Sequence, residues 1–244
     1  MSSAAAVPWR SSPAVRIGLS LSVATGLYGI SFGALSVAAG LTFWQTVALS
    51  ALMFTGGSQF AFIGVLSGGG AGASALGAAT LLGVRNAVYG MSMNALVRPR
   101  GWKRVLAAHV TIDESNAAAS SQTDPVEERR GFWVAGLGVW VLWNLFTVLG
   151  ALLGNALGDP ARWGLDGAAV AAFLGLLWPR LSAREPVAVA AVCALVTALT
   201  IPVLPPGVPI LVAAVVAGAI GWARRGGGGD GAPAPRVGCR EAGA

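Results

Sequence analysis

The sequence predicts an all-α polytopic membrane protein with roughly six full transmembrane helices plus one or two broken or re-entrant helices. Three observations carry this. From Ile17 to Val84 there is no Lys, Arg, Asp or Glu, and a bilayer demands such a run because charge is costly in hydrocarbon. Only 11% of the 244 residues are charged and 55% are hydrophobic, whereas globular chains carry about 25% charged residues. The apolar runs do not alternate polar and apolar residues over about ten positions, as barrel strands do. Helices are then what satisfies the backbone in lipid.

The elements follow in order. A short polar lead holds Arg10 and Arg16 and no acid. It resembles a signal-peptide start, but the apolar run Ile17–Gly40 that follows far exceeds a core of about 7–15 residues. It reads as an uncleaved first span. The second run, Trp44–Leu66, is interrupted at Thr55, Gly56, Gly57, Ser58 and Gln59, and a glycine-rich turn follows at Ser67–Gly72. The third, Ala73–Val97, contains Arg85, and the basic knot Arg98–Arg104 comes after it. Val105–Gln122 is less apolar and holds His109, Asp113 and Glu114, and Thr123–Arg130 is a charged loop. Phe132–Leu157, Leu165–Trp178 (stopped by Pro179), Pro186–Leu204 and Val208–Ala223 are the later runs, and Gly226–Ala244 is low-complexity. Such a tail is expected to be disordered.

Orientation follows from Lys and Arg placement. The basic segments are the N-terminal lead, Arg98–Arg104, Arg129–Arg130, Arg180–Arg184 and Arg224–Arg225. All lie on the cytoplasmic side together, with both termini inside, if an odd number of the early runs fails to cross. The interrupted run Trp44–Leu66 is the best candidate for a re-entrant element. The net charge of +6, with Lys103 the only lysine, therefore reports topology rather than nucleic-acid binding. Two cysteines, Cys193 and Cys239, stand without a CxxC or Cys/His cluster, which argues against a disulfide or metal site.

Three places could carry chemistry. Paired glycines at Gly56 and Gly57 weaken a helix, and the freed backbone groups must be buried in protein or line a cavity. Transporters aim half-helix ends at substrate through such breaks. The alternative is a packing kink in which Gln59 bonds a neighbouring helix. Arg85, followed by Asn86, lies about twelve residues from either end of its run, too deep for easy snorkelling, and its fork of donors suits a carboxylate. The alternative is a structural ion pair with Asp113 or Glu114. His109 and Asp113 are four apart and share a face if their segment is helical. His109 could then relay protons with Asp113 or Glu114, or the segment is a solvated amphipathic helix. The pairs Gly29/Gly33, Gly150/Gly154 and Gly154/Gly158 place small faces one turn apart for close helix packing, a hinge or a subunit interface. Hydrolase, zincin and Walker A patterns are absent.

Several pieces together resemble the AzlC family, the large subunit of bacterial branched-chain amino-acid exporters. They are Tyr28 to Gly33 (YGISFG), Phe54 to Ala61 (FTGGSQFA), Val84 to Gly90 (VRNAVYG), Thr111 to Glu114 (TIDE) and the Trp143…Gly150…Gly154 run. The likeness covers about Arg16 to Trp222. Family members often have Asn two before the arginine and His just after it; here Gly83 and Asn86 stand there, a departure that bears on substrate rather than fold. The resemblance implies secondary export of branched-chain or related amino acids across the bacterial cytoplasmic membrane, together with a small AzlD-type membrane subunit. It implies no cofactor and no enzyme activity. The expected substrate site is Ser58, Gln59, Phe60, Arg85, Asn86 and Phe32, with Phe62 as a further apolar wall. Asp113 or Glu114, with His109, would carry a coupling proton. Residues 1–15 would be a cytoplasmic segment, 16–223 the integral membrane transport domain and 224–244 the cytoplasmic tail. The competing readings are a passive channel or a non-transporting scaffold, and an embedded enzyme that lacks a nucleophile or metal constellation.

Overall fold

A computed structural model describes residues 8–157 and 181–227 and, between them, residues 162, 164, 167, 170, 171, 174, 175, 177 and 178. Most of the expected Leu165–Trp178 span, Gly158 and the tail from 228 onward lie outside the described residues. Among the described residues a 3₁₀ turn at Trp9–Ser11 leads into nine continuous α-helices, and no β-strand occurs. They are α1 (Pro13–Ala38), α2 (Phe43–Leu52), α3 (Gly57–Ser67), α4 (Gly72–Val97), α5 (Lys103–His109), α6 (Asp113–Ser120), α7 (Pro125–Leu157), α8 (Arg184–Thr200) and α9 (Val208–Gly227). Two of them, α1 and α7, are long and apolar enough to cross a membrane.

Helices α1 and α7 form the spine, and they run parallel. Gly18 faces Val134 and Ala135, Gly26 faces Leu142, Gly29 faces Trp143 and Thr147, and Gly33 faces Thr147 and Ala151. From the other side, Gly150 meets the Ile30 backbone and Gly154 meets Ala34. A Cβ on Gly29 would sit 2.6 Å from the Trp143 carbonyl oxygen, closer than van der Waals contact allows. Small residues are therefore what lets these backbones touch. At the start of both helices Glu127 accepts a short hydrogen bond from Ser12 and one from the Ala14 amide at 3.3 Å. Arg130 pairs with Glu127 at 2.7 Å and stacks over Trp9.

The two broken pairs enter this bundle from opposite ends. Helix α2 leaves the C-terminal end of α1, stays close to α7 and reaches its middle, where Ser50 bonds Thr147 at 3.2 Å and the Trp140 indole donates to Ala51 at 3.3 Å. The chain breaks at residues 53–56, and Gly56 takes φ +50° there, a conformation glycine adopts without a Cβ penalty. Helix α3 then returns to the end it came from, turning through Gly68–Gly70 into α4. Helix α4 descends to the opposite end, where Met93 and Val97 pack on Phe132. From there α5 rises to the middle, and α6 turns back until Ala118 and Ala119 lie against Gly131. A 26-residue helix followed by a half-way broken pair thus occurs twice, the second copy inverted relative to the first.

Arg10, Arg16, the Arg98–Arg104 knot, Arg129 and Arg130 consequently share one end of the bundle. Helix α9 starts beside α3 and α4, with Gly207 against Val65 and Ser74 and Leu211 against Gly77. It runs parallel to α4 and carries Arg224 toward that same end, where it pairs with Glu185 at the start of α8.

Candidate functional site

The two breaks meet near the middle of α7. Phe54 from the first and Ile112 from the second pack in one buried cluster with Phe32, Phe60, Val139 and Trp143. Several of their backbone groups are bonded by side chains of the protein, as irregular structure at membrane depth requires. The Gln59 amide donates to the carbonyls of Leu49 and Ser50 at 3.0 and 3.2 Å, closing the end of α2 together with Trp140. Thr55 Oγ1 accepts the Ser58 amide at 3.2 Å. In the second break Ile112 is extended (φ −133°, ψ 176°). The Ser115 hydroxyl accepts its amide at 2.9 Å and donates to the Val110 carbonyl at 2.8 Å.

Between the breaks lies a cavity of about 340 Å³. Its polar wall is Arg85, Asp113, Glu114, Thr25 and Tyr28, and the α3 N-terminus opens on it through Gly56 and Gly57. Its apolar wall is Leu21, Phe54, Phe60, Ile112, Val139 and Trp143. Arg85 Nη2 and Asp113 Oδ2 meet at 2.8 Å, with side chains 25% and 17% exposed. Arg85 Nε has no hydrogen-bond acceptor among the described residues, and Nη2 has this contact with Asp113 alone. The Trp143 indole nitrogen is buried without an acceptor there as well. Glu114 Oε1 accepts from Thr25 Oγ1 at 3.1 Å. The two acids occupy the first turn of α6, where the helix dipole favours negative charge. The cavity therefore holds paired carboxylates on one element and unsatisfied donors on two others.

The expected site residues divide. Arg85, Asp113, Glu114 and Phe60 line the cavity. Phe32 sits behind it, 5.7 Å from Phe60 edge-on and 5.8 Å from Trp143 stacked. Ser58 and Gln59 are buried in the first turn of α3 and do not line it: Gln59 serves α2, and Ser58 lies toward Gly83. Asn86 is on the α4 turn beside Arg85 but outside the cavity wall. Phe62 lines a separate hollow near Gly40 and Leu66.

His109 and Asp113 do not share a helix face, because the chain breaks between them. The His109 ring stands between Phe54 (6.0 Å) and Trp140 (6.4 Å) and does not line the cavity. Among the described residues no cluster of His, Cys, Asp and Glu could hold a metal ion. Reading the sequence missed Thr25, Tyr28 and Leu21. Their signal was available: 21, 25, 28 and 32 form one stripe of a helix, and the stripe carries hydroxyls in a charge-free span.

A family model described as AzlC protein matches residues 20–157, a stretch that runs from α1 to the end of α7. No curated protein matches the chain, and no solved structure does.

Proposed function

The chain belongs to the AzlC family, a family of branched-chain amino-acid transporters rather than enzymes, and on that premise we propose that the cavity between the two breaks is where it holds a zwitterionic amino acid. The carboxylate lies against the free donors of Arg85 and Trp143 and the N-terminus of α3, since a helix N-terminus favours an anion. The ammonium lies against Asp113 and Glu114. The aliphatic side chain packs on Phe60, Ile112 and Val139. The cavity volume sits at the low end of ligand pockets, about 300–1,000 Å³, which suits one small molecule. The observation that carries this reading is the coexistence of unsatisfied donors and paired carboxylates in one hollow.

On this reading Ser58 and Gln59 act at one remove: they fix the break that aims α3. Asn86 and Phe32 hold the wall from behind. Asp113 or Glu114 carries a coupling proton in exchange for the substrate ammonium, and His109 adjusts the contact between the two breaks. The basic end faces the cytoplasm of a bacterial cell, α2–α3 and α5–α6 are re-entrant from opposite leaflets, and about six helices cross the cytoplasmic membrane. Residues 16–223 form the transport domain between cytoplasmic ends, residues 1–15 and 224–244. A small AzlD-type subunit covers part of the lipid-level surface.

The test is competition in proteoliposomes loaded with labelled leucine. Leucine and valine compete for efflux, whereas leucinamide, which lacks the carboxylate, and 4-methylpentanoate, which lacks the ammonium, do not. Equal competition by either analogue overturns the assignment of the two ends. An imposed pH gradient accelerates efflux if the acids carry the proton; gradient-independent efflux identifies a passive channel instead.

A further inference from the structure

A second hollow opens at the basic end and reaches in as far as Thr111, sharing no lining residue with the cavity between the breaks. It has two parts that share Asn94, Pro99 and Arg104. The inner part is a narrow slot of about 210 Å³ between α4, α5 and α7, walled by Met93, Val97, Ala107, Ala108 and Phe132. The outer part is a wider cup of about 370 Å³ rimmed by Arg98, Arg100 and Arg104. Arg98 ends α4 at φ +50°, the one non-glycine residue with positive φ among those described, and its Nε donates to the Ala95 carbonyl at 3.2 Å. Such a conformation is costly for a residue with a Cβ, and strain of this kind concentrates where a residue is held for use. None of the ion pairs among the described residues involves these three arginines. Beside the cup the Trp102 ring is 71% exposed and Val105 is 75% exposed. Trp is enriched at the membrane–water interface.

We infer that this hollow is a binding site for an anionic phospholipid, with the phosphate in the arginine cup and the start of an acyl chain in the apolar slot. A cup of three guanidinium groups with no carboxylate partner among the described residues matches a phosphate, because planar forks of N–H donors recognise its oxygens in pairs. The apolar slot beneath has no use for a free phosphate and does suit a molecule that is charged at one end and hydrocarbon at the other. Basic pockets between membrane helices on the cytoplasmic side bind such headgroups.

The experiment is native mass spectrometry of the full-length chain in detergent, titrated separately with phosphatidylglycerol, phosphatidylcholine and inorganic phosphate. Phosphatidylglycerol binds selectively over phosphatidylcholine. Changing Arg98, Arg100 and Arg104 together to glutamine weakens phosphatidylglycerol binding on the order of 100-fold, taking each basic residue as worth about a factor of five near an anionic surface. Ala108→Trp, which blocks the slot and leaves the arginines in place, weakens it as well and decides the matter if the triple variant fails to fold. Arg129→Gln, a basic residue at the same end outside the hollow, changes nothing. Equal binding of the two lipids, an unaffected triple or Ala108→Trp variant, or an equal loss with Arg129→Gln overturns the site. Displacement of the lipid by millimolar phosphate assigns the cup to a free anion and overturns the lipid reading.

Discussion

Along the seam between α1 and α7 the approach is backbone to backbone: Gly29 and Gly33 on one helix meet the Trp143–Ala151 stretch of the other, and Gly150 and Gly154 meet Ile30 and Ala34. Across the cavity, by contrast, α4 and α6 meet through one ion pair whose donors are incompletely used, and α1 meets α6 through one hydrogen bond from Thr25 to Glu114. The seam leaves its backbones no room to move. The cavity has open space, and donors without acceptors among the described residues line it. Dense packing transmits displacement and resists it, so the difference separates a fixed scaffold from a contact that can open.

The largest effect should come from the seam. Gly150→Val places side-chain atoms into the Ile30 backbone. Overpacking costs about 1–3 kcal/mol where side chains can give way and more where they cannot, against a total stability of about 5–15 kcal/mol. Monodisperse protein on size exclusion of membrane extracts should fall to background, with transport lost only because protein is lost. Normal yield from this variant would break the comparison.

Next is Arg85→Ala, which removes charge-assisted bonds worth about 1.5–3 kcal/mol each. Leucine efflux should drop on the order of 10- to 100-fold at normal surface expression. The thermal midpoint should also fall, because Asp113 loses its partner. Pairing Arg85→Gln with Asp113→Asn should recover the midpoint and leave efflux impaired; recovery of both would make the pair structural. Thr25→Val, which frees Glu114 while keeping the shape, should slow efflux roughly tenfold, less if water replaces the hydroxyl. Trp143→Phe keeps the stacked ring and deletes one N–H, worth about 0.5–1.5 kcal/mol. It should raise KM roughly fivefold with the maximal rate unchanged. Gly64→Ala is the smallest: no atom lies within 4 Å of its added Cβ, so yield and efflux should match the parent. A loss there would mean that small residues matter outside the seam as well.

Much of this was legible in the residues. The charge-free stretch before Arg85 announced the helical class, because hydrocarbon excludes charge wherever it is found. Gly56 and Gly57 announced the first break, because glycine is a poor helix residue in any fold. The second break carries no such signal. It falls at Val110–Ile112, with neither glycine nor proline, and is held by the Ser115 hydroxyl from the following turn. His109 and Asp113 therefore read as one helical face and are not. Gln59 read equally well as a ligand or a brace, and its amide reaches the end of α2. Thr25 passed unnoticed because a serine or threonine hydroxyl in an apolar span usually bonds its own helix, as Ser22 does to Gly18 at 2.7 Å, and Tyr28 entered only as part of the YGISFG piece.

Apart from the start of α7, which lies at Pro125 inside the stretch read as a charged loop, the sequence by itself determined the helical class, where one run fails, which single cation stands inside an apolar run and which small faces can touch. These follow from local propensity and from the solvent each residue tolerates, and need no knowledge of neighbours. Only the tertiary structure decided that α1 and α7 run parallel, that the two broken pairs enter from opposite ends, and that Arg85 meets Asp113 beside Thr25. Those are contacts between residues about 30 to 120 positions apart, and nothing in the local pattern of either partner encodes which partner it will find.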